Sequence, residues 1–180
     1  ERITDAGSEV RLAGMYQGVQ FDQAFTAVLV ANGARSQLRP KAWVKYDQAY
    51  PWGAAWTIVP ECVTLDTQIL HQFYDGAHTM MGILPTGSVP SAPEQRLSTS
   101  PWLAAQYRDV VMSRYRQGRI GVLGDAAHAM SPQLGQGANM ALLDAWALGQ
   151  SVQQARTGHH IDWRVVWQHY HTLRQPAIQF

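Results

Sequence analysis

The stretch from residue 118 to 148, GRIGVLGDAAHAMSPQLGQGANMALLDAWAL, constrains the fold of this chain more than any other. Residues 119–123, RIGVL, predict a short strand that ends at Gly124 and Asp125. A glycine-rich turn then leads into a helix that we predict over residues 139–156, with Gly158 placed to end it. α/β proteins bind ligands where a strand ends and a helix begins, because the helix N-terminus presents free N–H groups. The sequence therefore predicts a ligand site at this turn.

The same stretch resembles the second flavin-contacting motif of the group A FAD-dependent monooxygenases, the para-hydroxybenzoate hydroxylase-like family. In that motif Gly-Asp-Ala-Ala-His is followed by Pro-x-x-Gly-Gln-Gly-x-Asn and then by Asp-Ala on the helix. The matching positions are Gly124, Asp125, Ala126, Ala127, His128, Pro132, Gly135, Gln136, Gly137, Asn139, Asp144 and Ala145. The resemblance covers most of the chain when the segment described next is included.

The resemblance implies FAD as cofactor and gives several of these residues a role. Asp125 would accept a hydrogen bond from the ribityl hydroxyls of FAD. The N–H groups around Gly137, Ala138 and Asn139 would face the flavin ring, and a helix N-terminus there would favour its negatively charged reduced form. The residues from Pro132 onward, with Gly135 and Gln136, would line the face that reacts with oxygen. Catalytic side chains are not identified, and His128 is expected to pack and hydrogen-bond rather than act as a base.

Residues 30–39, VANGARSQLR, are similar to the earlier motif of the same family, Gly-Ala-Asp-Gly-x-x-Ser-x-x-Arg. The resemblance implies that Asn32 and Gly33 belong to the flavin site. It also implies that Arg35 and Ser36 lie near the pyrophosphate and the approach of NADPH or NADH, the reductant. Asn32 stands where the motif has Asp, so the chain lacks a charged acceptor there. Asn also tolerates a left-handed turn, so the backbone geometry is expected to survive.

The predicted architecture is α/β of a mixed α+β kind, in two parts. Residues 1–39 and 118–180 would form part of an FAD-binding domain, and residues 40–117 a shortened antiparallel or mixed β-sheet domain for the substrate. The substrate would be an aromatic or polyketide-like small molecule, with Trp52 and Trp56 as candidate contacts. The family's Gly-x-Gly-x-x-Gly fingerprint is not found in the sequence. We therefore expect an N-terminally truncated portion of the fold, partnered by the missing half or by a second copy.

Several expectations concern single elements. The run FTAVLVA, residues 25–31, is apolar on both faces and predicts a central strand covered on both sides. Residues 102–117 predict a helix. A final helix is expected to bury the stripe Trp163, Val166, Trp167, Tyr170 and Leu173, capped by Asp162, or else to offer that stripe to a partner.

Composition and alternatives complete the expectations. Fourteen basic and 13 acidic residues give a net charge of +1, which does not favour nucleic acid or an anionic membrane as partner. The single cysteine, Cys62, is expected to be inert and fits a cytoplasmic protein. The histidines near the C-terminus do not share a face, so no metal is expected. The alternatives to a monooxygenase are a non-catalytic remnant acting as an assembly module and, less favoured, a flavin-dependent halogenase or reductase.

Overall fold

The computed structural model describes residues 2–59, 65–66, 68–85, 101–132 and 135–178. The chain divides into two compact units, one made of Glu1–Gly53 and Gln106–Phe180, the other of Ala54–Ala105. The first unit is thus built from two separate stretches of sequence. The predicted division into a flavin domain (residues 1–39 and 118–180) and a substrate domain (residues 40–117) stays a prediction.

Short strands alternate with a few helices along the described part of the chain. In chain order the strands are β1 (Arg2–Asp5), β2 (Val10–Tyr16), β3 (Val19–Phe25), β4 (Val28–Val30), β5 (Val44–Trp56), β6 (His71–Asp75), β7 (Thr79–Ile83), β8 (Leu103–Met112), β9 (Arg116–Gln117), β10 (Ile120–Val122), β11 (Arg156–Thr157) and β12 (His160–Ile161). The α-helices are α1 (Asp125–His128), α2 (Gly137–Ala155) and α3 (Trp163–Ile178), and a 3-10 turn covers Lys41–Trp43.

An antiparallel meander of β1, β2 and β3 begins the first unit. The hairpin between β2 and β3 turns at Gln17 and Gly18, both with positive φ (50° and 79°). Two central residues with positive φ make the tight turn whose twist matches that of the flanking strands. This places Val10 opposite Phe25 and buries Val10 completely.

A second sheet carries the predicted ligand turn. β10 pairs in parallel with β4 and antiparallel with β9, in the order β4-β10-β9. The expectation of a central strand within residues 25–31 is wrong for the described part of the chain, since β4 lies at the edge of this sheet and Leu29 is 40% exposed. An apolar run reports side-chain character on both faces of a strand, not how many strands lie beside it.

The helix predicted over residues 102–117 is also wrong, because this stretch forms β8 and β9. Val110 and Met112 are buried while Val111 between them is exposed, which is the alternation of a strand. Two adjacent β-branched valines favour the extended form, and β8 pairs with β5.

The helices α2 and α3 pack on each other, and α3 also contacts β9 of the second sheet. α3 buries Val166, Trp167 and Tyr170, as predicted, so this stripe is core and not a free surface for a partner; Leu173 at its end is exposed. The Trp167 and Tyr170 rings meet edge to face with centroids 5.7 Å apart. Asp162 caps the helix through Oδ1, which accepts the N–H of Arg164 at 2.9 Å.

α2 begins at Gly137 and ends at Ala155, close to the predicted bounds. Gly158 (φ 60°) does not end this helix; it turns the short hairpin of β11 and β12 that follows. Among the described residues, none of the helices has the length and apolar character needed to cross a bilayer.

The second unit contains the antiparallel hairpin of β6 and β7, with His71 opposite Ile83 and Asp75 opposite Thr79. Cys62 lies outside the described residues, so its inertness stays a prediction.

Candidate functional site

The turn after β10 exposes one carboxylate in an otherwise buried segment. Gly124 has φ 55°, a conformation that glycine adopts without strain, and its carbonyl accepts the N–H groups of Ala127 and His128 at 2.8 and 3.0 Å. Ala126, Ala127 and His128 are buried, whereas Asp125 is exposed. The fold thus holds the Asp125 side chain where a ligand can reach it.

The N-terminus of α2 lies beside this carboxylate. The first helical hydrogen bond runs from Met140 N to Gln136 O at 2.9 Å, so the three preceding amides have no partner within the helix. A Cβ placed on Gly137 would lie 3.8 Å from Oδ1 of Asp125. Gly135 (φ 61°) has open space where a side chain would project. An exposed acceptor and free amide donors therefore meet at one edge, with room for a ligand close to the backbone.

Asp144, a residue of α2 that is 1% exposed, anchors this turn from inside. Its Oδ2 accepts the N–H of Gly124 at 2.8 Å and lies 2.6 Å from Nε2 of His128. Its Oδ1 accepts Nε–H of Arg174, on α3, at 2.6 Å. His128 is therefore a buried hydrogen-bonding residue, as predicted, and the motif Asp144 forms part of an ion pair that the sequence did not reveal.

Charge and burial shift the pKa values of the groups around Asp144. Burial by itself raises the pKa of Asp144, but the hydrogen bonds from His128, Gly124 and Arg174, with the charge of His128, outweigh it and leave the pKa below its ordinary value. Burial, followed by the negative charge of Asp144, raises the pKa of Tyr115 to about 12. The same two causes raise the pKa of Tyr170 further. Both phenols therefore stay neutral beside an ionised carboxylate.

The segment 32–39 lies next to this turn because the ends of β4 and β10 are paired. Leu123 N donates to Val30 O at 2.9 Å. Gly33 has φ 87°, and its carbonyl accepts the N–H of Ser36 at 3.0 Å, closing a turn. Asn32 precedes this turn and is exposed. The two sequence motifs thus meet at one end of the sheet.

Arg39, the last residue of the first motif, joins the two motifs directly. Its guanidinium is buried and donates to Ala126 O at 2.8 Å, to Ala34 O at 3.2 Å and to Oδ2 of Asp47 at 2.7 Å. Arg108 pairs with the other oxygen of Asp47. Burial tends to raise the pKa of Asp47, and the two arginines together lower it. The motif pattern contained Arg39, but no role had been predicted for it.

Arg35 and Ser36, predicted near the pyrophosphate, have different surroundings. The Ser36 hydroxyl accepts the N–H of Arg39 at 3.1 Å, so it shapes the turn. Arg35 is exposed and donates to Oε1 of Gln106 at 2.9 Å. Arg35 therefore presents a positive charge at the surface, whereas the Ser36 hydroxyl is occupied within the turn.

The two candidate substrate contacts, Trp52 and Trp56, are 69% and 50% exposed and belong to different units. Trp52 borders an open depression of about 300 Å³ in the first unit. The depression is lined by Tyr46, Gln48, Ala49, Tyr50, Pro51, Trp52 and Asp109. Its wall is aromatic and carries one carboxylate.

The donors and acceptors at the Asp125 turn fit the flavin half of FAD. A polyhydroxylated ribityl chain needs a hydrogen-bond acceptor, which Asp125 supplies, and a ring edge that gains negative charge needs donors, which the free α2 amides supply. Glycines at 135 and 137 leave the approach open.

Comparisons with known proteins match this chain to flavin-binding proteins. The family described as "FAD binding domain" matches residues 90–179, half of the chain. The hispidin-3-hydroxylase of Neonothopanus nambi is 40% identical over 70 residues, which are 39% of this chain and 16% of that protein. The FAD-dependent monooxygenase cle3 of Aspergillus versicolor is 31% identical over 118 residues, 66% of this chain and 21% of that protein.

Solved structures of similar fold support the same assignment of architecture. Klebsiella pneumoniae HpxO, complexed with FAD and uric acid, superposes with a TM-score of 0.70 at 17% identity, covering 98% of this chain and 54% of that one. The tetracycline destructase Tet(51) gives a TM-score of 0.65 at 19% identity, covering 99% and 57%. The chain thus spans about half the length of these structures, and its matches cover 16% and 21% of the two relatives above.

Proposed function

Because the chain belongs to the FAD binding domain family, we propose that the protein containing it is an FAD-dependent monooxygenase. It hydroxylates an aromatic or polyketide-like small molecule, with O2 as oxidant and NADPH or NADH as reductant. The observation that carries this proposal is the exposed Asp125 carboxylate beside the free amides of α2. The relatives named as hydroxylase and monooxygenase support it.

In this proposal the chain binds and orients FAD, which supplies the electron transfer and oxygen activation that side chains cannot perform. Asp125 accepts from the ribityl hydroxyls, and Pro132, Gly135 and Gln136 border the same edge. The amides of Gly137, Ala138 and Asn139 face the ring edge that becomes negative on reduction. Three aligned donors at a helix N-terminus stabilise that charge without reorganising during the reaction.

The first motif serves the reductant side of the site. Asn32 and Gly33 place the turn beside the flavin, and Ser36 closes it. Arg35 offers its exposed guanidinium to a pyrophosphate, a group that arginine binds through paired hydrogen bonds. Its present partner, Gln106, is neutral, so an anion would not have to displace a carboxylate.

The substrate contacts the aromatic side chains of the strand-rich part of the chain. Trp52 offers an exposed indole at the rim of the aromatic depression in the first unit, and Trp56, which is also exposed, is a separate candidate contact. Flat aromatic substrates bind such faces by stacking.

We place the reaction in the cytoplasm, where NADPH and NADH are available and a single cysteine stays reduced.

The proposal is tested by oxygen incorporation. The purified protein is supplied with FAD, NADPH or NADH, and ¹⁸O2, together with a panel of phenolic and polyketide-like compounds. We expect substrate-stimulated oxygen consumption and one ¹⁸O atom in a hydroxylated product. Asp125→Ala should lower both when FAD is supplied near the parent's Kd, because the variant is expected to bind the flavin at least about tenfold more weakly.

Asp22→Ala is the matched control, since Asp22 is likewise an exposed carboxylate and pairs with Arg11 on the β2–β3 hairpin. A folded protein that retains FAD but never incorporates oxygen would contradict the monooxygenase assignment. One that retains no FAD would instead favour a non-catalytic module.

A further inference from the structure

Asp144 touches both ends of the short helix that carries Asp125. Gly124 is the residue before α1, and His128 is its last residue. The same oxygen of Asp144, Oδ2, bonds the amide of the first and the ring of the second, at 2.8 and 2.6 Å. One buried atom therefore holds the four-residue turn at its two ends.

Asp144 also lies on the helix whose N-terminus forms the other half of the site. It follows Gly137 by two helical turns on α2, a continuous helix from Gly137 to Ala155. The helix thus carries both the free amides and the carboxylate that is hydrogen-bonded to the two ends of the Asp125 turn. A rigid element that bears both fixes the separation between the two ligand-binding groups.

The second oxygen of Asp144, Oδ1, is paired with Arg174, and this cation keeps the carboxylate ionised and in place. Arg174 donates Nε–H to Oδ1 at 2.6 Å, and its Nη2 lies 3.4 Å from Met140 O. Arg174 is buried as well. A buried carboxylate with this cation and two further donors is held in one orientation, because any other would leave a buried charge unpaired.

We propose that Asp144 is a positioning residue that fixes the Asp125 carboxylate relative to the α2 amides and thereby sets the affinity for FAD. The inference rests on the proposed flavin site. It assigns Asp144 no contact with the cofactor: its effect passes through Gly124 and His128. Arg174, from the last helix, supports the same arrangement through the other oxygen.

The test separates positioning from stability with two variants in the purified protein. Asp144→Asn removes the charge at nearly constant volume but leaves Arg174 buried without a counter-ion. The double variant Asp144→Asn/Arg174→Met removes that unpaired cation too, so it is expected to recover thermal stability. If Asp144 only stabilises the fold, FAD affinity recovers with it. If Asp144 positions the turn, the Kd for FAD stays raised by about tenfold in the double variant, the loss expected for a charge-assisted hydrogen bond.

Ser151→Ala is the matched control. Ser151 is a fully buried polar residue of the same helix, two helical turns beyond Asp144, and its hydroxyl donates to Ala147 O at 2.7 Å. We expect it to lower the Tm while leaving the Kd for FAD within about twofold of the parent, because the hydrogen bond that it removes lies within α2 and does not involve the turn. A double variant with the parent's Kd would overturn the proposal.

Amide hydrogen exchange of residues 123–129 provides a readout that needs no flavin. Exchange in this segment should rise at least about tenfold in the double variant, since local opening becomes easier, and stay unchanged in Ser151→Ala. Unchanged exchange in the double variant would overturn the inference by itself. If the parent binds no FAD while exchange rises in the double variant as expected, the proposed function fails. The inference that Asp144 holds the turn in place is then still supported.

Discussion

The guanidinium of Arg39 donates a 2.8 Å hydrogen bond to the carbonyl oxygen of Ala126, a residue 87 positions further along the chain. The bond joins the turn that follows β4 to the short helix that follows β10. Both segments carry candidate flavin contacts, Asn32 and Gly33 in one and Asp125 in the other. Their relative position therefore depends on a buried cation as well as on the pairing of the two strands.

Replacing this cation should destabilise the protein strongly. Arg39→Met keeps most of the side-chain volume but leaves the buried carbonyl oxygen of Ala126 and the partly buried one of Ala34 without this donor. We expect the free energy of unfolding to fall by about 3 kcal/mol, measured by urea denaturation. The loss is moderated because Asp47 keeps Arg108 as partner.

Arg11→Met is the control for that measurement. Arg11 pairs with Asp22 at 3.1 Å on a surface where both side chains are half exposed, so its loss should cost less than about 1 kcal/mol. Equal losses in the two variants would mean that Arg39 contributes no more than a surface ion pair.

A glycine in the second sheet is required by the packing of α3. A Cβ added at Gly121 would overlap the Trp167 indole, which is fully buried. Gly121→Ala should therefore lower the free energy of unfolding by about 1–3 kcal/mol, since the ring cannot move without disturbing the core. Gly149→Ala, inside α2 with open space around it, should raise it by up to about 1 kcal/mol. Chemical denaturation of both variants checks that the free energy of unfolding changes in opposite directions. An unchanged value for Gly121→Ala would show that Trp167 can be repacked.

Acid should unfold the protein partly through Asp47 and Asp144. Their folded pKa values lie below the ordinary 3.8, so the unfolded chain takes up protons first as the pH falls. The stability that they contribute is present above about pH 5 and is lost as the pH falls below 3.8 toward their folded pKa values, by at most about 1.4 kcal/mol per pH unit for each group. Unfolding free energies between about pH 5 and pH 3 should fall less steeply in Asp47→Asn than in the parent. An unchanged slope would exclude a contribution from Asp47.

The asparagine of the first motif is expected to limit reduction of the flavin. Asn32→Asp restores the carboxylate found in the family motif and should speed NADPH- or NADH-dependent flavin reduction by about tenfold, the difference between a charged and a neutral acceptor. Gln37→Glu adds the same charge to an exposed position of the same segment and should leave the rate unchanged. Stopped-flow absorbance of the flavin gives the rates; equal rates for parent and Asn32→Asp would mark Asn32 as neutral.

The local part of this site could be predicted from the sequence, but the buried contacts that hold it in place could not. The strand, turn and helix around Asp125 were predictable because glycine, small residues and helical spacing act over neighbouring positions. The ion pair of Asp144 with Arg174 joins residues 30 positions apart. No local pattern marks such a pair, although Asp144 itself stood in the motif.

The errors have physical causes of the same kind. Residues 102–117 carry apolar side chains at spacings that suit a helix, yet pairing with β5 and the two valines at 110 and 111 decide for a strand. The run around Leu29 is apolar, which favours a central strand, yet β4 lies at the edge of its sheet. The sequence of one strand does not show how many strands lie beside it. Tertiary pairing, not local preference, determines both outcomes.

The most direct test of the central claim is a titration of the purified protein with FAD, following quenching of flavin fluorescence, for the parent and for Asp125→Ala. We predict saturable quenching by the parent and a Kd at least about tenfold higher for the variant, because Asp125 supplies a charged acceptor to the ribityl chain. Circular dichroism confirms that both proteins are folded. Saturable binding with the same Kd in both, or no binding by a folded parent, would contradict the account of the site.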